Sequence, residues 1–146
     1  MAAVKDVLKE KSNKVWSVSI TATVREALTL MADRKIGAIP VMDGEKIAGI
    51  FSERDFARNA VTASQSYSLD APVSALMSHP VLYVTPDQSI EDCMTVMTAK
   101  HLRHLPVLEN GALVGMISIG DVVKFIMAEK QSTIESLEHF LWMHTI

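Results

Sequence analysis

A serine and an aspartate recur at a fixed spacing in two parts of the chain, where they could bind a ribose and a phosphate. The stretch Gly49–Asp55 reads glycine, two apolar residues, serine, two variable residues and aspartate, and Gly115–Asp121 has the same form 66 positions later. In both, an apolar strand is predicted to end at the serine and a helix to begin at or just before the aspartate. A carboxylate accepts two hydrogen bonds from a vicinal diol, and a helix N-terminus offers free N–H groups to a phosphate.

The alternative is that Ser52 and Asp55 merely cap a helix, which is the usual role of these residue types. The surrounding repeat weighs against capping alone, because residues 18–61 align with residues 84–127 at a constant offset of 66 without a gap. The positions with an identical partner include Val18, Thr29, Met31, Pro40, Val41, Gly49, Ser52 and Asp55. Repetition of this kind indicates two copies of one structural unit.

Hydrophobic periodicity predicts the same order of elements in each copy: strand, helix, strand, strand, helix. Thr23 and Glu26 form a capping-box pattern that opens the first helix, which is predicted to end near Gly37. The other predicted elements are strands over 15–18, 38–42, 46–51, 81–84, 105–108 and 113–117, and helices over 53–63, from 90, and over 120–128. Short helices are predicted at 4–9 and 72–77, a polar linker at 62–71, and a final amphipathic helix at 132–144.

These elements predict an α/β (α+β) fold of two pseudo-symmetric βαββα repeats with flanking N- and C-terminal helices. The predicted division is residues 1–66 for the first repeat with its N-terminal helix, 67–130 for the second repeat, and 131–146 for the last helix. One repeat is too small to bury both faces of its sheet alone. The two are therefore predicted to pack sheet to sheet, with the serine–aspartate edges lying in two equivalent clefts.

Composition narrows the class of protein. The 146 residues are 49% hydrophobic and 21% charged with a net charge of −3, which is a globular balance without a basic tract for nucleic acid. Cys93 is the only cysteine, so it excludes an intramolecular disulfide and a cysteine-rich zinc site, and its apolar helical stripe indicates a core thiol. No secretion signal and no apolar run of about 20 residues is present, so we expect a cytoplasmic protein without a membrane partner, or an organelle-matrix protein whose presequence was removed.

Two motif pairs carry a resemblance to a known family. They are Ile39-Pro40-Val41 with Gly49–Asp55, and Leu105-Pro106-Val107 with Gly115–Asp121. From about Val4 to Ala128 the chain resembles a tandem pair of CBS domains, the arrangement called a Bateman module. The sequences Ser52-Glu53-Arg54-Asp55 and Leu102–Val107 are similar to those of small stand-alone CBS-pair proteins of bacteria and organelles.

The resemblance implies an adenosine-containing ligand, such as AMP, ADP, ATP, NAD or S-adenosylmethionine, in the clefts. It implies that Asp55 and Asp121 bind ribose hydroxyls and that Ser52 and Ser118 contact ribose or phosphate. The strands around the two prolines would offer backbone groups to an adenine edge, and the segments 19–23 and 85–89 would close over the base. The further residues assigned to the ligand in this way are Ile20, Thr23, Gly37, Ala38, Ile39, Pro40, Arg103, His104, Leu105 and Pro106.

The two repeats differ in the cations that a phosphate requires. The first carries Arg54 and, one helical turn along, Arg58, whereas the second has Gly120 and Lys124 at those positions. Arg103 and His104 have Gly37 and Ala38 as their counterparts, so they could reach toward the Ser52–Asp55 edge from a facing repeat. We therefore predict that the Asp55 site binds a phosphorylated ligand more tightly than the Asp121 site. A solvated basic face remains the alternative for the arginines, and a surface role for His104.

The sequence lacks a placed nucleophile–base pair, a metal-ligand cluster and a glycine-rich phosphate loop. We therefore expect a regulatory module and not an enzyme, with no catalytic cofactor and no metal. It would sense an adenosine nucleotide and act in trans on an unknown effector protein. By resemblance, a homodimer through the helices is expected. The alternative function is an interaction scaffold whose nucleotide pockets are degenerate.

Overall fold

A computed structural model describes residues 2–11, 14–62, 69–129, 139 and 141–143. It confirms the predicted mixed α/β fold with two sheets and helices around them. In chain order the elements are α1 (Val4–Glu10), β1 (Val18–Ser19), α2 (Val24–Arg34), β2 (Ala38–Asp43), β3 (Lys46–Ser52), α3 (Glu53–Thr62), a 3-10 turn (Val73–Ala75), α4 (Ile90–Lys100), β4 (His104–Glu109), β5 (Ala112–Ser118) and α5 (Ile119–Ala128). No helix in these ranges is long and apolar enough to cross a bilayer.

Three short elements differ from the prediction. The first strand begins only at Val18, and Trp16 before it contacts the charged groups of Lys14 and Arg34, which lie 4.5 Å and 3.9 Å from its ring centroid. The strand predicted at 81–84 is reduced to one bridged residue, Val84, since prolines near both ends remove ladder donors. The helix predicted at 72–77 is a single 3-10 turn. Most of the predicted linker (63–68) and of the final helix (132–138, 140 and 144) lies outside the described residues.

One compact unit comprises Lys14–Tyr83 and Pro106–Gly115. Its three-stranded sheet has the order β1-β2-β3, with β1 parallel and β3 antiparallel to the central strand. The segment around the 3-10 turn docks on the start of α2, where the Val24 N–H donates to the Ala71 carbonyl at 2.9 Å and the Val73 N–H to the Ala22 carbonyl at 2.8 Å. The buried core of this unit is Ala22, Val24, Ala27, Met31, Ile39, Val41, Phe51, Val73 and Leu76.

The other unit comprises Met1–Asn13, Val84–Leu105 and Met116–Ile146. Here α1 docks on the segment before α4: the Val4 N–H donates to the Gln88 carbonyl and the Lys5 N–H to the Pro86 carbonyl, both at 2.9 Å. Cys93 is buried on α4 as predicted for a core thiol, and burial raises its pKa to about 11, so it stays protonated at neutral pH. In each unit, therefore, the segment that precedes one repeat packs on the first helix of the other repeat: α1 packs at the start of α4, and the 3-10 turn packs at the start of α2. The predicted boundary at 66/67 stays a prediction about the repeats.

Candidate functional site

The first candidate site lies at the junction of β3 and α3. Ser52 ends the strand, and its Oγ accepts the Asp55 N–H at 3.0 Å. The Gly37 carbonyl, just before β2, accepts the first helical N–H, from Glu53, at 3.0 Å. The Asp55 carboxylate then accepts the Ser78 hydroxyl at 3.1 Å. Capping by Ser52 is real, and it fixes the half-buried Asp55 at the helix N-terminus.

Ser78 reaches Asp55 because its backbone runs along the outer edge of β3. Its N–H donates to the Ile50 carbonyl at 2.7 Å, and its carbonyl accepts the Ile50 N–H at 3.1 Å. The approach is so close that a Cβ on Gly49 would lie 2.5 Å from the Met77 Sδ and 2.9 Å from the Ser78 carbonyl oxygen. The glycine that opens the repeated motif is thus required here by the neighbouring chain.

Pro40 lies in the central strand β2, and its missing N–H costs no hydrogen bond to β3. Both polar backbone groups of Ile50 bond Ser78, so they face away from Pro40, its partner across the ladder. The pair is therefore non-hydrogen-bonded, and the backbone of Pro40 faces the β1 side of the strand. Pairing with β1 begins only at Val41, which is the break in pairing expected beside a proline.

The other residues predicted for this site lie in three places: two at the edge that carries Asp55, three elsewhere in the same unit, and two on α3. Ala38 lies opposite Ser52 in the ladder and next to Gly37, so these backbone groups share the edge that carries Asp55.

The other five residues lie away from that edge or on α3. Ile39 is fully buried in the core, and the Ile20 N–H donates to the Met42 carbonyl at 2.8 Å. The Thr23 hydroxyl is engaged with Glu26 in the predicted capping box, at 3.1 Å from both the backbone nitrogen and the carboxylate. On α3, Arg54 and Arg58 are exposed one turn apart.

The second candidate site repeats this backbone arrangement at the junction of β5 and α5. The Ser118 Oγ accepts the Asp121 N–H at 3.0 Å, and Asp121 Oδ2 accepts the Ser118 N–H at 2.9 Å. The Arg103 carbonyl accepts the Ile119 N–H at 2.9 Å, as Gly37 does for Glu53. The contact on the carboxylate differs. Lys11 places its Nζ 2.7 Å from Asp121 Oδ2 and 2.9 Å from the Met116 carbonyl oxygen.

The remaining residues predicted for the second site lie just before β4, on β4 and on α5. Arg103 is exposed, His104 is half-buried as the first residue of β4, and Leu105 is fully buried. Lys124 is exposed on α5. Pro106 is buried and belongs to the compact unit that holds Asp55.

The environment of Asp121 holds its carboxyl in the ionised form. Burial alone would raise the pKa, but the hydrogen bond and charge of Lys11 and the donors of Ser118 outweigh it and lower the pKa below its usual value. A carboxyl whose pKa is lower in the folded state stabilises the fold above its unfolded pKa, and that stabilisation is lost as the pH falls through the folded value.

We expect Asp121→Asn to remove this pH-dependent stabilisation of the fold. The amide oxygen can still accept the Ser118 N–H, so the change isolates the charge. Wild type should exceed the variant in free energy of unfolding by about 1 kcal/mol or less at neutral pH, because Lys11 is 35% exposed. Urea unfolding from pH 7 to pH 2 would show the difference shrinking below about pH 4. A difference that stays constant across that range would contradict the assignment to the Asp121 charge.

Sequence reasoning missed Ser78 and Lys11, whose side chains contact the carboxylates of Asp55 and Asp121. Both lie outside the aligned repeat, Ser78 being 23 positions from Asp55 and Lys11 110 positions from Asp121. Neither forms part of a periodic pattern or a motif, so the sequence offers no signal for these contacts.

The repeated architecture has a counterpart among known families. The family model described as CBS domain matches the chain twice, at residues 4–62 and 73–128. The chain belongs to the CBS-domain family. It is a tandem CBS pair, as the motifs predicted.

Relatives of known sequence or structure agree with this assignment. The CBS domain-containing protein YhcV of Bacillus subtilis (strain 168) is 31% identical over 141 residues, 95% of this chain and 97% of that protein. A solved structure with CBS domains from Burkholderia ambifaria MC40-6 has a TM-score of 0.81 and 43% identity, covering 87% of this chain and 95% of that one. The CBS pair of protein MJ0100, in complex with 5′-methylthioadenosine and S-adenosyl-L-methionine, has a TM-score of 0.76 and 18% identity, covering 88% and 98%. At that identity the likeness concerns the fold.

Proposed function

We propose that this CBS pair binds an adenosine-containing ligand at the Ser52–Asp55 edge and regulates a partner protein in trans. The observation that carries the proposal is the state of the Asp55 carboxylate. Across 14–62, 69–83 and 106–115, the described part of its unit, no ion pair involves Asp55, and its carboxylate accepts the neutral hydroxyl of Ser78. A ribose diol can therefore bind this carboxylate without displacing a cation.

The surroundings of Asp55 suit the rest of such a ligand. The N-terminus of α3, a ten-residue helix, favours negative charge, and Arg54 and Arg58 add two exposed cations on the same helix. The backbone of Gly37 and Ala38 lies beside Ser52, where it can meet the polar edge of a base. The ligands of MJ0100 support an adenosine moiety as the shared part, because both are adenosine derivatives.

Regulation requires more than binding. A ligand shifts a conformational equilibrium only by its differential affinity for the two states. We propose that ligand binding at Asp55 changes the surface offered to an effector protein, and that the protein acts as a homodimer without catalysis of its own. An interaction scaffold with degenerate pockets is the second candidate, favoured by the exposed apolar residues of α5, Ile119, Val123 and Ile126.

Isothermal titration against AMP, ADP, ATP, NAD and S-adenosylmethionine tests the proposal. We expect binding in the micromolar range for at least one ligand, and its loss in Asp55→Ala, since that substitution removes the acceptor for both ribose hydroxyls. Asp33→Ala is the matched control, because Asp33 is an exposed aspartate on α2 in the same unit. Absence of heat and of a thermal shift with every ligand would overturn nucleotide sensing and favour the scaffold.

A further inference from the structure

The two aspartates of the repeated motif have different partners at equivalent places. Ser78 bonds Ile50 through its backbone and Asp55 through its hydroxyl, at 3.1 Å. Lys11 bonds Met116, the counterpart of Ile50 at the offset of 66, and Asp121, at 2.7 Å. One carboxylate thus meets a neutral hydroxyl and the other an ammonium group.

We propose that Lys11 occupies the ribose-binding carboxylate of the second CBS repeat, so that the protein binds one nucleotide although it carries two complete Ser-x-x-Asp motifs. This inference rests on the proposed function, because it assigns the stoichiometry of the same kind of site. It makes Lys11 a determinant of which repeat binds the ligand.

The geometry places the ammonium where a ribose hydroxyl would bind. Lys11 Nζ contacts Asp121 Oδ2, the oxygen that also accepts the Ser118 N–H, and it is held in place by the Met116 carbonyl. Asp121 is only 22% exposed, so little of the carboxylate remains open to a ligand. A diol brings two neutral donors, whereas Lys11 brings a charged one that is already attached to the chain. The tethered cation should therefore win the competition for the carboxylate.

The helix that carries Asp121 lacks the arginine that the first repeat could offer to a phosphate. Gly120 stands where the first repeat has Arg54, although a Cβ at Gly120 would meet nothing closer than the Ser118 Oγ at 3.7 Å. Steric crowding therefore does not explain the missing side chain. A second reading of Lys11 is a direct contact to a phosphate of the ligand, and it predicts the opposite result when Lys11 is removed.

The experiment compares the full-length wild type with Lys11→Met by isothermal titration, using the adenosine ligand that the wild type binds. Lys5→Met is the matched control, because Lys5 belongs to the same N-terminal segment and forms an exposed ion pair with Asp87 at 3.2 Å. We expect one ligand per chain for wild type and Lys5→Met, and two for Lys11→Met, with affinity at the second site raised roughly tenfold or more. Adding Asp121→Ala to Lys11→Met should return the stoichiometry to one.

A second readout needs no ligand. The pKa of the Asp121 side chain, followed by carbon NMR, should rise when Lys11 becomes methionine and stay unchanged in Lys5→Met. An unchanged Asp121 pKa, a stoichiometry that stays at one, or weaker binding in Lys11→Met would each overturn the inference while leaving binding at Asp55 intact. Two equal sites in the wild type would overturn it as well. Loss of binding in every protein, wild type included, would instead overturn the proposed function and the inference with it.

Discussion

Replacing Phe51 by alanine is expected to lower the free energy of unfolding by about 3–5 kcal/mol. Phe51 is 0% exposed and heads the largest fully buried side chains among the described residues. It packs in one cluster with Ile39, Val41 and Met31, so truncation removes apolar contacts and leaves a cavity that these neighbours fill only partly. Urea unfolding at neutral pH measures the loss.

Phe56→Ala is the comparison for this prediction. Phe56 is half-buried and packs at the margin of the same cluster, so its truncation should cost clearly less. Phe51 also directly precedes Ser52, and β3 therefore transmits any movement of the core to the Asp55 edge. We expect weaker ligand binding by the folded fraction of Phe51→Ala. Equal stability losses for both phenylalanines would show that the core is not centred on Phe51.

Local patterns explain most of what the sequence predicted correctly. The apolar runs that end at Ser52 and Ser118 are β3 and β5, and the helices begin immediately after them, because strand burial and helix capping depend on residues only a few positions apart. The fixed offset of 66 then doubled the evidence for each element. The capping box at Thr23 was confirmed in the same way.

The errors arise where side-chain packing replaces a backbone ladder. The apolar pattern at 15–18 suits a strand, yet Trp16 contacts the cations of Lys14 and Arg34, and the contact with Arg34 depends on where α2 lies in space. The same limit applies to the candidate site. Ser52 and Asp55 belong to a local motif, whereas Ser78 and Lys11 reach their aspartates through long-range docking of the segments that precede each repeat. The predicted difference between the two sites, drawn from arginines, stays a prediction, and the contact of Lys11 adds an independent reason for it.

The last prediction concerns the glycine of the repeated motif. Gly49→Ala is expected to lower the free energy of unfolding by about 1–3 kcal/mol, because the new Cβ would lie 2.9 Å from the Ser78 carbonyl and 2.8 Å from the Met77 Cγ. The flexible Met77 side chain can move aside, but the backbone of Ser78 is paired with Ile50 and cannot yield without breaking those bonds. Ser78 also donates to Asp55. We therefore expect Gly49→Ala to weaken ligand binding at Asp55, although Gly49 itself would not contact the ligand.

Gly120→Ala is the same chemical change, but we expect it to raise the free energy of unfolding instead of lowering it. Its Cβ would lie at an ordinary 3.7 Å from the Ser118 Oγ, and Gly120 is inside the first turn of α5. Alanine at a compatible helical position restricts the unfolded chain and should stabilise the protein by about 0.4–1 kcal/mol. Urea unfolding of both variants, with ligand titration of Gly49→Ala, decides the matter. If both glycines tolerate alanine equally, then the edge of β3 is not closed by Ser78, and the support that this contact gives Asp55 is lost with it.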